Sequence, residues 1–477
     1  MNKMEYKWVV LTVTTVGAFM ASMSSSTIII ALPQILADLK ASLAEGVWMI
    51  TMYQLAVTVL ALGFGRIADR YGRVKVYIVG FSIFAIGTAL SALALNGPQL
   101  ILWRGVQGAG AALIFVNGLA LAVGTFPSSE IGMAIGINFG AFSVGSVAGY
   151  SFGGAVVTLL GWRAIFLITL VIAVLGIFWS RRRLREVSRR LDVHSDPAGT
   201  VVYIASLSMV VAGLTPGTTT AVLSLILILA GGLLFVLFIF LERRHPHPVL
   251  DPKLFRNRRF AAGNLASVLT FIPTGAFPLV VSLYLQFVRG LNPLDVGLIL
   301  LTGEVVFAIL TFLSGLLSDR YGSRMFTIPG SIFIFVSLIL FSFVDRAAPL
   351  GQILGILVLL GIGRGFFGSS NAASAMSAVQ PEDYTIANGF RTTVNNTAGV
   401  ISVPMVTAFM TLVIPYDRAV QIVTGVPFAN EAEILSFMQA VSFSVIILAF
   451  MALLAIMPDL SAKSKSIIQQ KSGYHLH

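Results

Sequence analysis

The chain has 477 residues, of which 57% are hydrophobic and only 11% charged, where a soluble domain carries roughly 25%. A mean hydropathy of +0.91 and many runs long enough to cross about 30 Å of hydrocarbon exclude a soluble fold and predict an all-α polytopic membrane protein. Cysteine is absent, which excludes disulfides, thiolate nucleophiles and cysteine metal sites.

Apolar runs in chain order predict fourteen membrane helices, near 8–36, 46–67, 76–95, 98–124, 131–160, 164–180, 198–215, 219–241, 261–287, 294–316, 325–344, 349–378, 386–413 and 435–457. The first is too long for a cleavable signal and lacks a cleavage site, so it is read as a true span. The net charge of +11 falls unevenly among the connections. Lys3, Lys7, Arg66, Arg70, Arg73, Lys75, the runs Arg181 to Arg190 and Arg243 to Arg259, Arg320, Arg324, Lys463, Lys465 and Lys471 share one side. Only Lys40, Arg163, Arg289, Arg346 and Arg418 lie on the other. The positive-inside rule then places both termini in the cytoplasm of a multi-pass plasma-membrane protein. The basic excess is a topology signal and a possible contact for anionic lipid, not a nucleic-acid surface.

The expected organisation is a six-helix bundle over 1–180, basic connectors and two extra helices over 181–260, a second six-helix bundle over 261–457, and a tail over 458–477. The two extra helices carry few polar residues and read as lipid-facing inserts. The loop from Ile414 to Glu433 is either a lid or a connector. His245-Pro246-His247 is read as a solvated loop rather than a metal site.

Helix one carries Ser24, Ser25, Ser26 and Thr27. After helix two comes Gly65-Arg66-Ile67-Ala68-Asp69-Arg70-Tyr71-Gly72-Arg73. It returns after helix ten as Gly315 to Arg324, with Asp319, Arg320, Tyr321 and Gly322 at the corresponding places. The two aspartates are 250 positions apart (319 − 69), so the chain reads as a duplication. Glycines permit the tight turn. Asp69 can accept from a helix N-terminus of the other half or pair with an arginine. Such a contact would latch one side shut; the alternative is that these charges serve topology alone.

Helix four opens with Leu100 to Ala112 and sets Arg104 in an apolar run, where a cation costs about 2.5–3.5 kcal/mol on insertion scales. It needs a partner, a wet cavity, or an anchoring role near the interface. On helix five, Gly145, Gly149 and Gly153 repeat every four residues and form one face suited to close packing. Glu304 lies mid-run in helix ten, about 13–14 Å along the axis from Asp295. An intramembrane carboxylate is a functional hypothesis by default, and burial penalises its charged form. Glu304 is therefore the leading proton carrier, the alternative being a neutral glutamic acid bonded between helices. Helices twelve and thirteen bring Arg364, Asn371, Arg391, Thr392, Thr393, Asn395 and Asn396. Cavity candidates are Ser24, Ser25, Tyr53, Gln54, Asn117, Asn138, Tyr150, Asn371 and Asn395, each with interhelical hydrogen bonding as the alternative.

Two similar six-helix halves with this paired hinge resemble the major facilitator superfamily, specifically its fourteen-helix drug:proton antiporter branch. The likeness covers nearly the whole chain. The resemblance implies that the hinges are the family's signature loops, that Arg104 belongs to its second motif and takes part in proton coupling, and that the helix-five glycines belong to the antiporter motif. Two departures stand out. The family's helix-one Asp and Asn are Ser24 and Ile29 here, and its proline after the glycine at 149 is Tyr150.

Together these readings predict a proton-coupled secondary exporter of amphipathic, lipophilic compounds that works by alternating access. It is expected to be a monomer in contact with membrane lipid, with no cofactor other than protons, no metal site and no enzymatic activity. No Gly-x-x-x-x-Gly-Lys-Ser/Thr loop is present, which argues against ATP coupling. The alternatives are a proton-coupled carrier of a native metabolite, lipid or organic acid, in which Arg104 or Arg364 binds the substrate, and a non-transporting membrane scaffold.

Overall fold

The computed structural model describes residues 3–127, 130–186, 197–244, 254, 256–380, 384–423, 428 and 431–461; the side chains of 62–66, Asp69 and Asp319 are among those it leaves undescribed. The expected latch at the two aspartates, His245-Pro246-His247, and most of the basic connectors and tail lie outside the described residues.

Every regular element among the described residues is helical. The elements are α1 (Lys3–Leu39), α2 (Leu43–Tyr71), α3 (Arg73–Ala92), α4 (Gly97–Thr125), α5 (Ile131–Leu160), α6 (Trp162–Arg183), α7 (Pro197–Leu214), α8 (Ala221–Arg244), α9 (Arg258–Leu283), α10 (Pro293–Tyr321), α11 (Arg324–Ser342), α12 (Leu350–Met376), α13 (Tyr384–Thr411), α14 (Tyr416–Val423), α15 (Glu431–Leu454) and α16 (Ile456–Ser461). Helices are the open-ended elements that satisfy every backbone group within lipid. Twelve of them are long and apolar enough to cross a membrane. The other two expected spans are helical but less clear-cut. The apolar part of α7 is short, Ala198–Leu214, and α13 is interrupted by Arg391, Asn395 and Asn396.

Local sequence explains the boundaries. Ser42 and Glu45 form a capping box at the start of α2, satisfying two otherwise orphaned donors. Asn96, Asn257 and Asn292 cap α4, α9 and α10 through their side-chain oxygens. Both hinge glycines adopt positive φ, 104° at Gly72 and 88° at Gly322, a region that disfavours residues with a Cβ. The α9 helix contains Pro273 and Pro278 and runs into a π-helical turn over Tyr284–Val288, a recognised source of bends. The loop after α13 holds α14, which the apolar pattern did not reveal.

α1 to α6 pack on one another, as do α9 to α13 with α15, and α5 meets α10 where the halves join. The extra pair α7–α8 packs together, and α7 also touches α2 and α13. Tyr203, Leu207 and Val211 of α7 are buried, whereas most of α8 faces outward. Both helices also contribute to the wall of a cavity, Tyr203 from α7 and Phe235, Phe238, Ile239 and Glu242 from α8, so neither is only an outward-facing insert.

The halves are joined at the helix ends opposite the chain termini. Leu294 N–H donates to Thr158 Oγ1 (3.2 Å), and Ala44 N–H to Tyr416 Oη (3.2 Å). A Cβ on Gly154 would collide with the Pro293 carbonyl, and one on Gly297 with the Tyr150 carbonyl. Toward the terminal side, Ile137, Phe139 and Phe142 of α5 and Ile309, Phe312 and Leu313 of α10 are exposed.

Candidate functional site

Close packing of α10 on α12 places the central ion pair. A Cβ on Gly361 would strike the Gly303 carbonyl, so the two backbones approach where one carries Glu304 and the other Arg364. Arg364 Nη1 donates to Glu304 Oε1 at 2.5 Å. The carboxylate side chain is 9% exposed and the guanidinium 22%. The guanidinium also lies 4.3 Å from the Phe307 ring centroid, a cation–π arrangement. Tyr150 of α5 and Phe277 and Pro278 of α9 complete a small pocket around the pair, with room for about 10 Å³, on the order of one water. Tyr150 is buried and brings the other half to the ion pair. The sequence marked Glu304 and Tyr150 separately; that Arg364 holds the carboxylate is visible only in three dimensions.

Arg104 forms a second centre within the first half. It is fully buried. Nε donates to the Met49 carbonyl (3.2 Å), and Nη1 donates to Ser24 Oγ (3.2 Å) and Gln107 Oε1 (2.6 Å). Its guanidinium sits 4.3 Å from the Tyr53 ring centroid, while Nη2 has no partner. Gln107 in turn donates to Thr88 Oγ1 (2.7 Å), and Tyr53 Oη to the Ala21 carbonyl (2.9 Å). The cation is thus held by neutral groups and one aromatic face, and Ser24 occupies the place where a counter-charge would fit.

The remaining cavity candidates separate. Asn138 Nδ2 reaches Thr14 Oγ1 (3.3 Å), joining α5 to α1, and Asn117 Nδ2 bonds the Leu113 carbonyl of its own helix (2.8 Å). Asn371 Nδ2 donates to the Gly263 carbonyl (3.0 Å) and Ser267 Oγ (2.8 Å), tying α12 to α9. Its Oδ1 and that of Asn395 are buried without a partner. Gln54 faces Gly399 of α13 across the halves, and Ser25 is half-buried. These residues do not gather around Glu304.

The glycine face of α5 packs on α1. A Cβ on Gly145, Gly149 or Gly153 would run into Phe19, Met23 or Thr27 respectively. At the first hinge, Glu186 accepts from Arg73 N–H (3.1 Å) and Val74 N–H (3.0 Å), which fills the helix N-terminus with a carboxylate from the connector after α6. Arg73 Nη1 reaches the Ala120 carbonyl (3.4 Å). Arg70, like Arg320 of the second hinge, is exposed.

One carboxylate escaped the sequence reading. Glu242, at the predicted end of the eighth run, is only 1% exposed and lines a cavity with Asn264. An acid next to the boundary of a run reads as a loop residue when that boundary is uncertain by a few positions.

Two bundles of membrane-length helices that meet on one side, with an ion pair near their contact, have the layout of a membrane transporter. The chain belongs to the Major Facilitator Superfamily, whose family model matches residues 14–404. It is similar to the riboflavin transporter RibZ of Clostridioides difficile, at 28% identity over 87% of this chain and 91% of that protein. It is also similar to the multidrug resistance protein Stp of Mycobacterium tuberculosis, at 30% identity over 80% of this chain and 71% of the relative. The tetracenomycin C resistance and export protein of Streptomyces glaucescens is 29% identical over 75% of this chain and 67% of its own length. Among solved structures, the fold matches a bacterial homologue of the human lysosomal transporter Spinster in an inward-facing, unoccupied conformation. The TM-score is 0.72 with 18% identity, over 96% of this chain and 97% of that one.

Proposed function

We propose that the protein is a proton-coupled exporter of amphipathic, lipophilic compounds, of the fourteen-helix drug:proton antiporter type, with both termini in the cytoplasm. The observation that carries this reading is the Glu304–Arg364 pair, buried beside Tyr150 where the halves meet. Protonation of Glu304 removes the charge that holds Arg364 and frees the guanidinium to choose other partners. A substrate that favours the deprotonated site then competes with the proton, and the coupling follows from that competition. The multidrug and antibiotic exporters among the relatives support the substrate class.

The test is flux in proteoliposomes under an imposed pH gradient, with lipophilic cations and neutral drugs as substrates and Glu304→Gln beside the native protein. Gradient-driven flux should fall to background in Glu304→Gln while binding of substrate persists. Unchanged gradient-driven flux in the variant would move coupling away from Glu304.

A second reading has its own support. Arg104 is a fully buried cation with an unpartnered Nη2, and RibZ, similar along most of its length, is named for riboflavin. A carrier of a native metabolite or organic acid would use such a cation to hold an electron-rich substrate. That reading predicts saturable riboflavin or carboxylate transport that Arg104→Gln eliminates.

A further inference from the structure

The extra helices enclose a cavity of about 270 Å³ between α7, α8, α9 and α13. It is separate from the Glu304 pocket. Its walls include four aromatic rings, Tyr203, Phe235, Phe238 and Phe390, and four polar residues, Glu242, Asn264, Thr393 and Thr397. Asn264 is 2% exposed. Its Nδ2 donates to the Phe260 carbonyl (2.8 Å), while its Oδ1 is buried without a partner. Leaving such an acceptor unsatisfied is costly, so the cavity is built to receive a donor. Glu242 is 1% exposed and has contacts of its own. Tyr203 Oη is already bonded to Thr397 Oγ1 (2.5 Å), which leaves its ring as the available surface. The described lining contains no basic side chain. Phe235 is 41% exposed and the neighbouring lining residue Leu265 53% exposed, so the mouth opens on the membrane-facing surface.

We propose that this cavity binds a lipophilic ammonium compound that enters sideways from the bilayer. Aromatic faces attract a cation, and the Asn264 carbonyl accepts one of its N–H bonds. An apolar chain fills the remainder, since ligand pockets are mostly apolar with a few placed polar groups. An anionic headgroup meets no positive charge on the described lining, and the Thr393 and Thr397 hydroxyls already donate to the Gly389 and Thr393 carbonyls. The site lies apart from Glu304 and stands whether or not that residue couples protons.

The test is equilibrium binding to the full-length protein in phosphatidylcholine nanodiscs, without a pH gradient, using three probes of equal chain length: dodecylammonium, dodecyltrimethylammonium and dodecyl sulfate. Dodecylammonium should bind saturably, more tightly than the trimethyl compound, and dodecyl sulfate should not displace it. Asn264→Leu should weaken dodecylammonium binding about tenfold, in line with losing one charge-assisted hydrogen bond, and Asn264→Asp should strengthen it. Gly140→Ala, on α5 and outside this lining, should leave it unchanged. A photoreactive alkyl amine should label peptides from α8, α9 or α13. Equal binding of dodecyl sulfate would make the cavity a cleft for lipid tails and overturn the proposal. So would Asn264 variants that do not differ, or labelling confined to α5, α10 and α12.

Discussion

At the scale of single residues, fully buried Arg104 and half-buried Arg364 are in opposite electrostatic situations. Arg364 has a carboxylate, and Arg104 has only Ser24, Gln107, a backbone carbonyl and the Tyr53 ring. The desolvation of Arg104 is already incurred in the folded protein, so a counter-charge at 24 adds attraction against the cost of burying one carboxylate. Ser24 Oγ lies 3.2 Å from Nη1, close enough for a direct pair. Ser24→Asp should therefore raise the stability of the detergent-purified protein by about 1.5–3 kcal/mol, the range of a hydrogen bond to a charged group. Ser24→Asn, of the same shape and uncharged, should give little. Denaturation midpoints compare the two; equal midpoints would mean that Arg104 is satisfied as it stands, by its ring contact and neutral acceptors. The same comparison bears on function, because a carboxylate at 24 would place a titratable group directly beside Arg104.

Among the elements, α5 offers an internal control. Gly145, Gly149 and Gly153 press on α1, whereas Gly136 and Gly140 face open space, with no neighbouring atom within 4 Å of where a Cβ would sit. Gly149→Leu should lower the thermal midpoint, at a cost of about 1–3 kcal/mol for overpacking or more where the backbone must separate, and Gly140→Ala should be nearly silent. Loss of folded protein in both variants would contradict the packing argument. This face was legible in the sequence because a repeat of four maps directly onto one side of a helix. The paired turns were legible too, since Asp-Arg-Tyr-Gly recurs at 69–72 and 319–322; the positive φ of both glycines came only from the structure. The partnership of Glu304 with Arg364 was not. Periodicity assigns each to a face of its own helix, and only the approach of α10 to α12 joins them. Asn264 and Glu242 were missed for different reasons. One is a single polar residue in an otherwise ordinary run, and the other sits where a run ends. The burial of α7 was hidden because a helix that packs on protein and one that faces lipid are both apolar.

For the whole molecule, the contact of the halves on the side away from the termini sets the order of events. Thr158 and Leu294 belong to opposite halves and are joined by a hydrogen bond of 3.2 Å, and the neighbouring Gly154–Pro293 contact leaves no space for a side chain. For a substrate to leave on that side, these helix ends must part, since a packed interface switches between discrete arrangements rather than stretching. The native chain has no cysteine, so Thr158→Cys combined with Leu294→Cys introduces the sole pair. A disulfide needs Cα atoms about 4.4–6.8 Å apart, a reach that the existing hydrogen bond suggests is available. Oxidation of the double variant should bring flux to background, and reduction should restore it, with each single variant insensitive to both. Formation of the cross-link, followed by mass spectrometry of the joined peptides, separates a failed bond from a failed idea. A cross-linked protein that still transports at the native rate would mean that this face need not open. That outcome would count against export by parting of the two bundles at Thr158 and Leu294.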